Sequence, residues 1–165
     1  HKQIPIGAGL GGGSADAAFT LKGLNELFEL EISSKKLEEY ALQLGADCPF
    51  FIDNTPKYVE GIGEKMISID LNLSKFEIRL INPEIHISTA EAYGGITPQI
   101  SKTNLLDLIN QPVENWKEKI KNDFEKSIFE KHSKLQSIKQ QLYKDDAVYA
   151  SMSGSGSTLY GFFVK

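Results

Sequence analysis

Apolar residues recur at helical spacing in two stretches near the start of the chain. Ala17, Leu21, Leu24 and Phe28 share one face of a first predicted helix, and Leu37, Tyr40, Ala41 and Leu44 share one face of a second. Ser14 is placed to cap the first helix, Ser33 or Ser34 the second, and Gly45 suits the stop. A polar turn, Ala46-Asp47-Cys48-Pro49, leads into the apolar run Phe50-Phe51-Ile52, which reads as a strand. Further strands are predicted over 57–60, 65–69 and 76–81. Beyond them, Ser88-Thr89-Ala90-Glu91 fits a capping box that opens a short helix. Trp116, Ile120 and Phe124 mark one long helix, and Leu135, Ile138 and Leu142 another. The segments 147–150 and 159–164 read as strands joined by the turn Ser153-Gly154-Ser155-Gly156-Ser157. Helices and strands mix without strict βαβ alternation, so the expected class is α+β. The polar connection 70–74 divides the chain into expected domains 1–69 and 70–165.

Composition narrows the function classes. With 165 residues and 41% hydrophobic content the chain can bury a core in one or two units. A net charge of -4 and a pI near 5.4 argue against nucleic acid as the main partner. They leave nucleotide binding open, because backbone N–H groups can hold phosphates on an acidic protein. A single cysteine, Cys48, excludes an internal disulfide and fits a reducing compartment. No apolar run approaches the ~20 residues of a membrane span and no signal-peptide pattern opens the chain, so a soluble cytoplasmic protein is expected. The chain opens at His1 with only four residues ahead of Pro5 and its glycine-rich segment, and it ends on an apolar strand-like run. It is therefore expected to be a fragment of a longer protein. His1, His86 and His132 are scattered, and no Cys/His spacing suggests a metal site. Trp116 is expected in the core, and Asp16 in the first helical turn, where an acid favours the dipole. Oligomeric state is left open.

Glycine dominates Gly7 to Gly13, immediately before the first helix. Removing side chains there lets successive N–H groups converge where a helix N-terminus adds about half a positive charge, an arrangement suited to a di- or triphosphate. The plainer reading is a flexible turn, although such turns rarely run straight into an amphipathic helix. A Walker A loop is excluded, since it needs Lys before its Ser or Thr and Gly13 precedes Ser14. Gly7-Ala8-Gly9-Leu10-Gly11-Gly12 satisfies G-x-G-x-x-G, but a dinucleotide site needs a parallel strand after the helix, and here a second helix follows.

The arrangement Pro5, Gly9, Leu10, Gly11 and Ser14 resembles the Pro-x-x-x-Gly-Leu-Gly-x-x-Ser phosphate motif of the GHMP kinases (galactokinase, homoserine kinase, mevalonate kinase, phosphomevalonate kinase). The triple glycine Gly11-Gly12-Gly13 before Ser14 resembles the branch whose substrate is 4-diphosphocytidyl-2-C-methyl-D-erythritol. Leu44-Gly45-Ala46-Asp47-Cys48-Pro49-Phe50-Phe51 resembles a second segment of that branch, with Cys48 in place of its usual Val. Gly61-Ile62-Gly63-Glu64, Ser88-Thr89-Ala90-Glu91-Ala92-Tyr93, Asn122-Asp123-Phe124-Glu125 and Met152 to Ser157 follow in the family's order.

The resemblance implies a GHMP two-domain fold: the remainder of a ribosomal-protein-S5-like ATP domain, then a ferredoxin-like C-terminal domain. It implies that Pro5, Ile6, Gly7, Ala8, Gly9, Leu10, Gly11, Gly12, Gly13, Ser14 and Ala15 cradle the phosphates of ATP. Asp47 would be the catalytic base toward the substrate 2-hydroxyl, in a step of non-mevalonate isoprenoid synthesis. Thr89 would contact the methylerythritol portion, or only open its helix. Mg²⁺ would arrive with ATP, within reach of Ser14, with no carboxylate ligand assigned. The family's catalytic Lys and cytosine-holding residues lie upstream of the glycine segment, so this stretch alone is expected to be inactive. The alternatives are another GHMP kinase (mevalonate or homoserine type), a Rossmann oxidoreductase, and a non-catalytic nucleotide-binding module.

Overall fold

A computed structural model describes residues 2–61, 63, 65–99 and 103–165. It divides into two compact units, one formed by Gly11–Leu71 and the other by His1–Leu10 with Asn72–Lys165. Both are built of helices and antiparallel strands, the α+β class.

In the Gly11–Leu71 unit, helices α1 (Gly12–Leu27), α2 (Ser34–Leu44) and α3 (Phe50–Asp53) enclose a small core of Ala18, Leu37, Ala41, Cys48 and Ile52. Alanines at the contact positions let α1 and α2 approach closely; Ala18 and Ala41 are fully buried. The loop between them is held by Asn25, whose side chain donates to Ile32 O and accepts from Ile32 N. Ser33 caps α2, accepting from the Lys36 amide. Gly45 follows α2 in an extended conformation. Strands β1 (Lys57–Glu60) and β2 (Lys65–Ser68) form a hairpin. Ile62 and Glu64, within its turn, lie outside the described residues.

Two expectations for this unit are corrected. Helix α1 opens at Gly12, not after Ser14; its N-cap is Gly11 in the left-handed region (φ 64°), without a side-chain cap. Glycine at that position permits a backbone turn that Ser would resist. Asp16 consequently lies beyond the first turn. The run 50–52 is helical: Pro49 sits at φ -58°, ψ -34°, already in the helical region, and Ile52 is buried against the α1–α2 core. A three-residue apolar run does not by itself separate strand from helix. At the end of α3, hydrogen bonds from Lys57 and Thr55 hold the Asp53 carboxyl below its usual range.

The other unit is built on a three-stranded antiparallel sheet in the order β3 (Phe76–Ile81), β5 (Leu159–Val164), β4 (Tyr149–Met152). Alternation along the strands gives it two faces. On one, Leu159, Phe163, Ala150 and Met152 pack with Ile128 of α6 (Phe124–Lys131) and with Leu135 and Leu142 of α7 (Ser133–Lys144). Ala92 of α4 (Thr89–Gly94) joins this core. On the other, Trp116 packs edge-on against Tyr149, with centroids 5.6 Å apart, and near Phe162. Burial pushes the Tyr149 phenol pKa well up, and its hydroxyl donates to Ile120 O.

The expected long helix through Trp116, Ile120 and Phe124 is not formed. Trp116 ends a single 3₁₀ turn, Val113–Asn115, and α6 begins only at Phe124. The four-residue spacing mimicked a helix, but Phe124 packs with the α6–α7 core while Trp116 serves the aromatic face. A short helix α5 (Leu105–Ile109), capped by Asn104, was not anticipated. Ser88 caps α4 by accepting from the Glu91 amide, one of the two bonds of the expected capping box. The Glu91 carboxylate is drawn to His132, Oε1 lying 3.0 Å from Nε2. No helix among the described residues is long and apolar enough to cross a membrane.

Candidate functional site

The glycine-rich segment passes from one unit into the other between Leu10 and Gly11, and each half has its own surroundings. In the sheet-containing unit, residues 5–10 reach the turn that joins β4 to β5. Ser153 Oγ donates to Gly9 O at 2.7 Å, and the Thr158 amide donates to Ala8 O at 3.1 Å. Gly9 has φ +75°, and a β-carbon there would fall 2.2 Å from Ser153 O and 2.9 Å from Gly156 O. No side chain fits that gap. Ala8 is buried, whereas Pro5, Ile6 and Gly7 are exposed, with Gly9 and Leu10 half-buried. The ring of His86 stands 3.8 Å from the place of a β-carbon on Gly7.

In the Gly11–Leu71 unit, the segment becomes the first turn of α1. Gly11, Gly12 and Gly13 carry no side chain that could cap it, so the opening N–H groups of a 16-residue helix are left to an outside acceptor. Ser14 and Ala15 follow within the same turn, half-buried. The Phe51 ring packs directly on this start: a β-carbon at Gly11 would lie 2.9 Å from Phe51 Cζ. Gly63 is pressed similarly against Ala46, a β-carbon there falling 2.8 Å from Ala46 O. Three motif segments separated in sequence therefore meet in this unit. Between Ala46 and Cys48, Asp47 is exposed in the turn before α3. Among the described residues no hydrogen bond or ion pair engages its carboxylate. Buried Cys48 and Pro49, immediately after Asp47, anchor the turn. A carboxylate held by its backbone yet unpaired is available to a ligand.

Thr89, in the other unit, is the first residue of α4 and is exposed. Two residues that the sequence does not mark join the glycine segment: Phe51, in α3 rather than the expected strand, and His86. Neither carries a local signal, since only the tertiary fold brings either against a glycine. A dinucleotide site of the Rossmann kind is not supported. Helix α1 is followed by α2, and every strand pairing among the described residues is antiparallel.

Known proteins match the chain in three kinds of comparison. Family models described as GHMP kinases N terminal domain and GHMP kinases C terminal match residues 1–54 and 104–165. A Bacteroides fragilis protein named 4-diphosphocytidyl-2-C-methyl-D-erythritol kinase is 50% identical over 99% of this chain and 60% of its own length. One of the same name from Azobacteroides pseudotrichonymphae is 51% identical over 100% of this chain and 62% of its own. A crystal structure of 4-(cytidine 5'-diphospho)-2C-methyl-D-erythritol kinase superposes with a TM-score of 0.81 at 28% identity, covering 98% of this chain and 59% of that one. The chain thus spans about three-fifths of the length of the curated relatives it matches.

Proposed function

Because this chain belongs to the GHMP kinase family, we propose that it is the phosphate-loop and C-terminal part of an ATP-dependent, cytoplasmic small-molecule kinase. Residues 1–69 would belong to its ATP-binding domain and 70–165 to its C-terminal domain. The substrate of the whole protein is then 4-diphosphocytidyl-2-C-methyl-D-erythritol, phosphorylated on its 2-hydroxyl. The observation that carries this reading is the uncapped glycine start of α1, in the same unit as the unpaired Asp47 turn.

The free N–H groups at the start of α1, up to that of Ser14, would bind the nucleotide phosphates, favoured by the helix dipole, while Ala15, whose amide is donated to Gly11 O, would close the turn behind them. Residues 5–10, held at Ala8 and Gly9 by the Ser153 turn, would belong to the same proposed phosphate-binding segment. ATP supplies the γ-phosphoryl group and Mg²⁺ neutralises charge on the phosphates. Ser14, in the first turn, is suited to reach the Mg²⁺ that arrives with ATP. Asp47 would accept the proton of the 2-hydroxyl as its oxygen bonds to the γ-phosphorus and ADP departs. Thr89 would help hold the methylerythritol portion of the substrate.

A substrate panel on the full-length protein tests the assignment. We expect kcat/KM for 4-diphosphocytidyl-2-C-methyl-D-erythritol to exceed that for mevalonate or homoserine by about a hundredfold or more. Parity with either would move the protein to another branch of the family.

A further inference from the structure

Among the described residues no strand pairs with the outer edge of β4, where the sheet order ends. Its backbone groups are satisfied by side chains. Tyr143 Oη donates to Ala150 O and accepts from the Ala150 amide. Glu125 Oε1 accepts from the Met152 amide at 2.8 Å and from Ser151 Oγ. Asn122 Nδ2 donates to Met152 O at 2.7 Å and to Gly154 O at 2.8 Å. Glu125 is only 8% exposed, and its second oxygen accepts from Lys139 Nζ at 2.5 Å. Edge groups that pair with buried, fixed side chains cannot shift register without leaving those partners unsatisfied.

The clamp ends where the glycine contact begins. Asn122 holds the carbonyls on both sides of Ser153, and Ser153 Oγ holds Gly9 O. The Thr158 amide, across the turn from Ser153, holds Ala8 O. We infer that Asn122 and Glu125 are positioning residues for the phosphate-binding segment: they fix the 152–154 backbone, and that backbone fixes Ala8 and Gly9. This inference rests on reading residues 5–15 as the phosphate cradle. It gives the Asn122-Asp123-Phe124-Glu125 motif a task in nucleotide binding although neither side chain touches the glycine segment.

Asn122 permits a clean test because its two ends act separately. Its Oδ1 accepts from the Phe124 amide at the start of α6. Asn122→Asp keeps that acceptor and the shape, but replaces the donor facing two carbonyls with an oxygen. A residue that merely starts the helix would tolerate the change. In the full-length protein without nucleotide, hydrogen exchange at the Thr158 amide should accelerate at least about tenfold, with α6 amides unchanged. KM for ATP should rise about tenfold, while KM for the alcohol substrate stays within about twofold. Glu125→Gln, which retains an acceptor for the Met152 amide, should lose less than Glu125→Ala. Unchanged exchange at Thr158 in Asn122→Asp would overturn the clamp. Faster exchange with an unaltered ATP KM would overturn the link to the nucleotide. A wild-type protein that neither bound nor used ATP would instead remove the underlying reading, and this inference with it.

Discussion

Asp47→Asn in the full-length protein is expected to lower kcat by about 10²–10⁴-fold while leaving KM for ATP within about threefold. The expectation follows from position and chemistry together. Asp47 is exposed on a short turn whose neighbours Cys48 and Pro49 are buried, so the carboxylate is presented without being consumed by a partner. Asn preserves the shape and leaves the turn intact but cannot accept the hydroxyl proton. On the proposed reading, nucleotide affinity would reside in the backbone of the glycine segment, which the substitution does not touch. Steady-state kinetics with each substrate varied in turn separate the two parameters. A kcat within about threefold of wild type would remove Asp47 from the reaction.

Gly9→Ala should be damaging for a different reason. Its φ of +75° disfavours any β-carbon, and the added atom would meet Ser153 O at 2.2 Å and Gly156 O at 2.9 Å. Both obstacles are backbone, so no side chain can swing aside. Either the glycine segment or the β4–β5 turn must move, straining the bonds to Gly9 O and Ala8 O. The combined cost is expected to be at least ~2 kcal/mol of stability, with KM for ATP raised about tenfold or more. Gly23→Ala is the matched control. Gly23 lies within α1, and a β-carbon there meets nothing within 4 Å. It should stabilise the protein by ~0.4–1 kcal/mol with activity unchanged. Denaturant melts and ATP titrations of the two variants provide the comparison. Equal ATP affinity in both would show that contact with the turn does not shape the nucleotide site.

Legibility in the sequence depended on whether a signal was local. Strands 57–60, 76–81 and 159–164 are found where alternation and flanking turns put them, and Ser33 and Ser88 cap the helices their positions suggested. Each of those signals lies within a few residues of its effect. The start of α1 was misjudged because glycine in the left-handed region, not a serine side chain, opens it. The segment 50–52 and the stretch from Trp116 to Phe124 were misjudged because apolar spacing says that a residue is buried, not against what. For the site, the glycine segment and Asp47 stood out as motifs. Their tertiary companions did not: Phe51 against Gly11, His86 beside Gly7, and the turn that closes on Gly9 are made by residues far apart in sequence.

Side-chain-free backbone at the entrance to α1 is proposed to bind nucleotide phosphates within reach of Asp47. The most direct test is a crystal structure of the full-length protein with a non-hydrolysable ATP analogue and the alcohol substrate. Phosphate oxygens should lie within hydrogen-bond distance of the Gly12–Ser14 amides, with the Asp47 carboxylate beside the 2-hydroxyl. Phosphates bound elsewhere, or an Asp47 side chain directed away from the acceptor hydroxyl, would contradict the proposal.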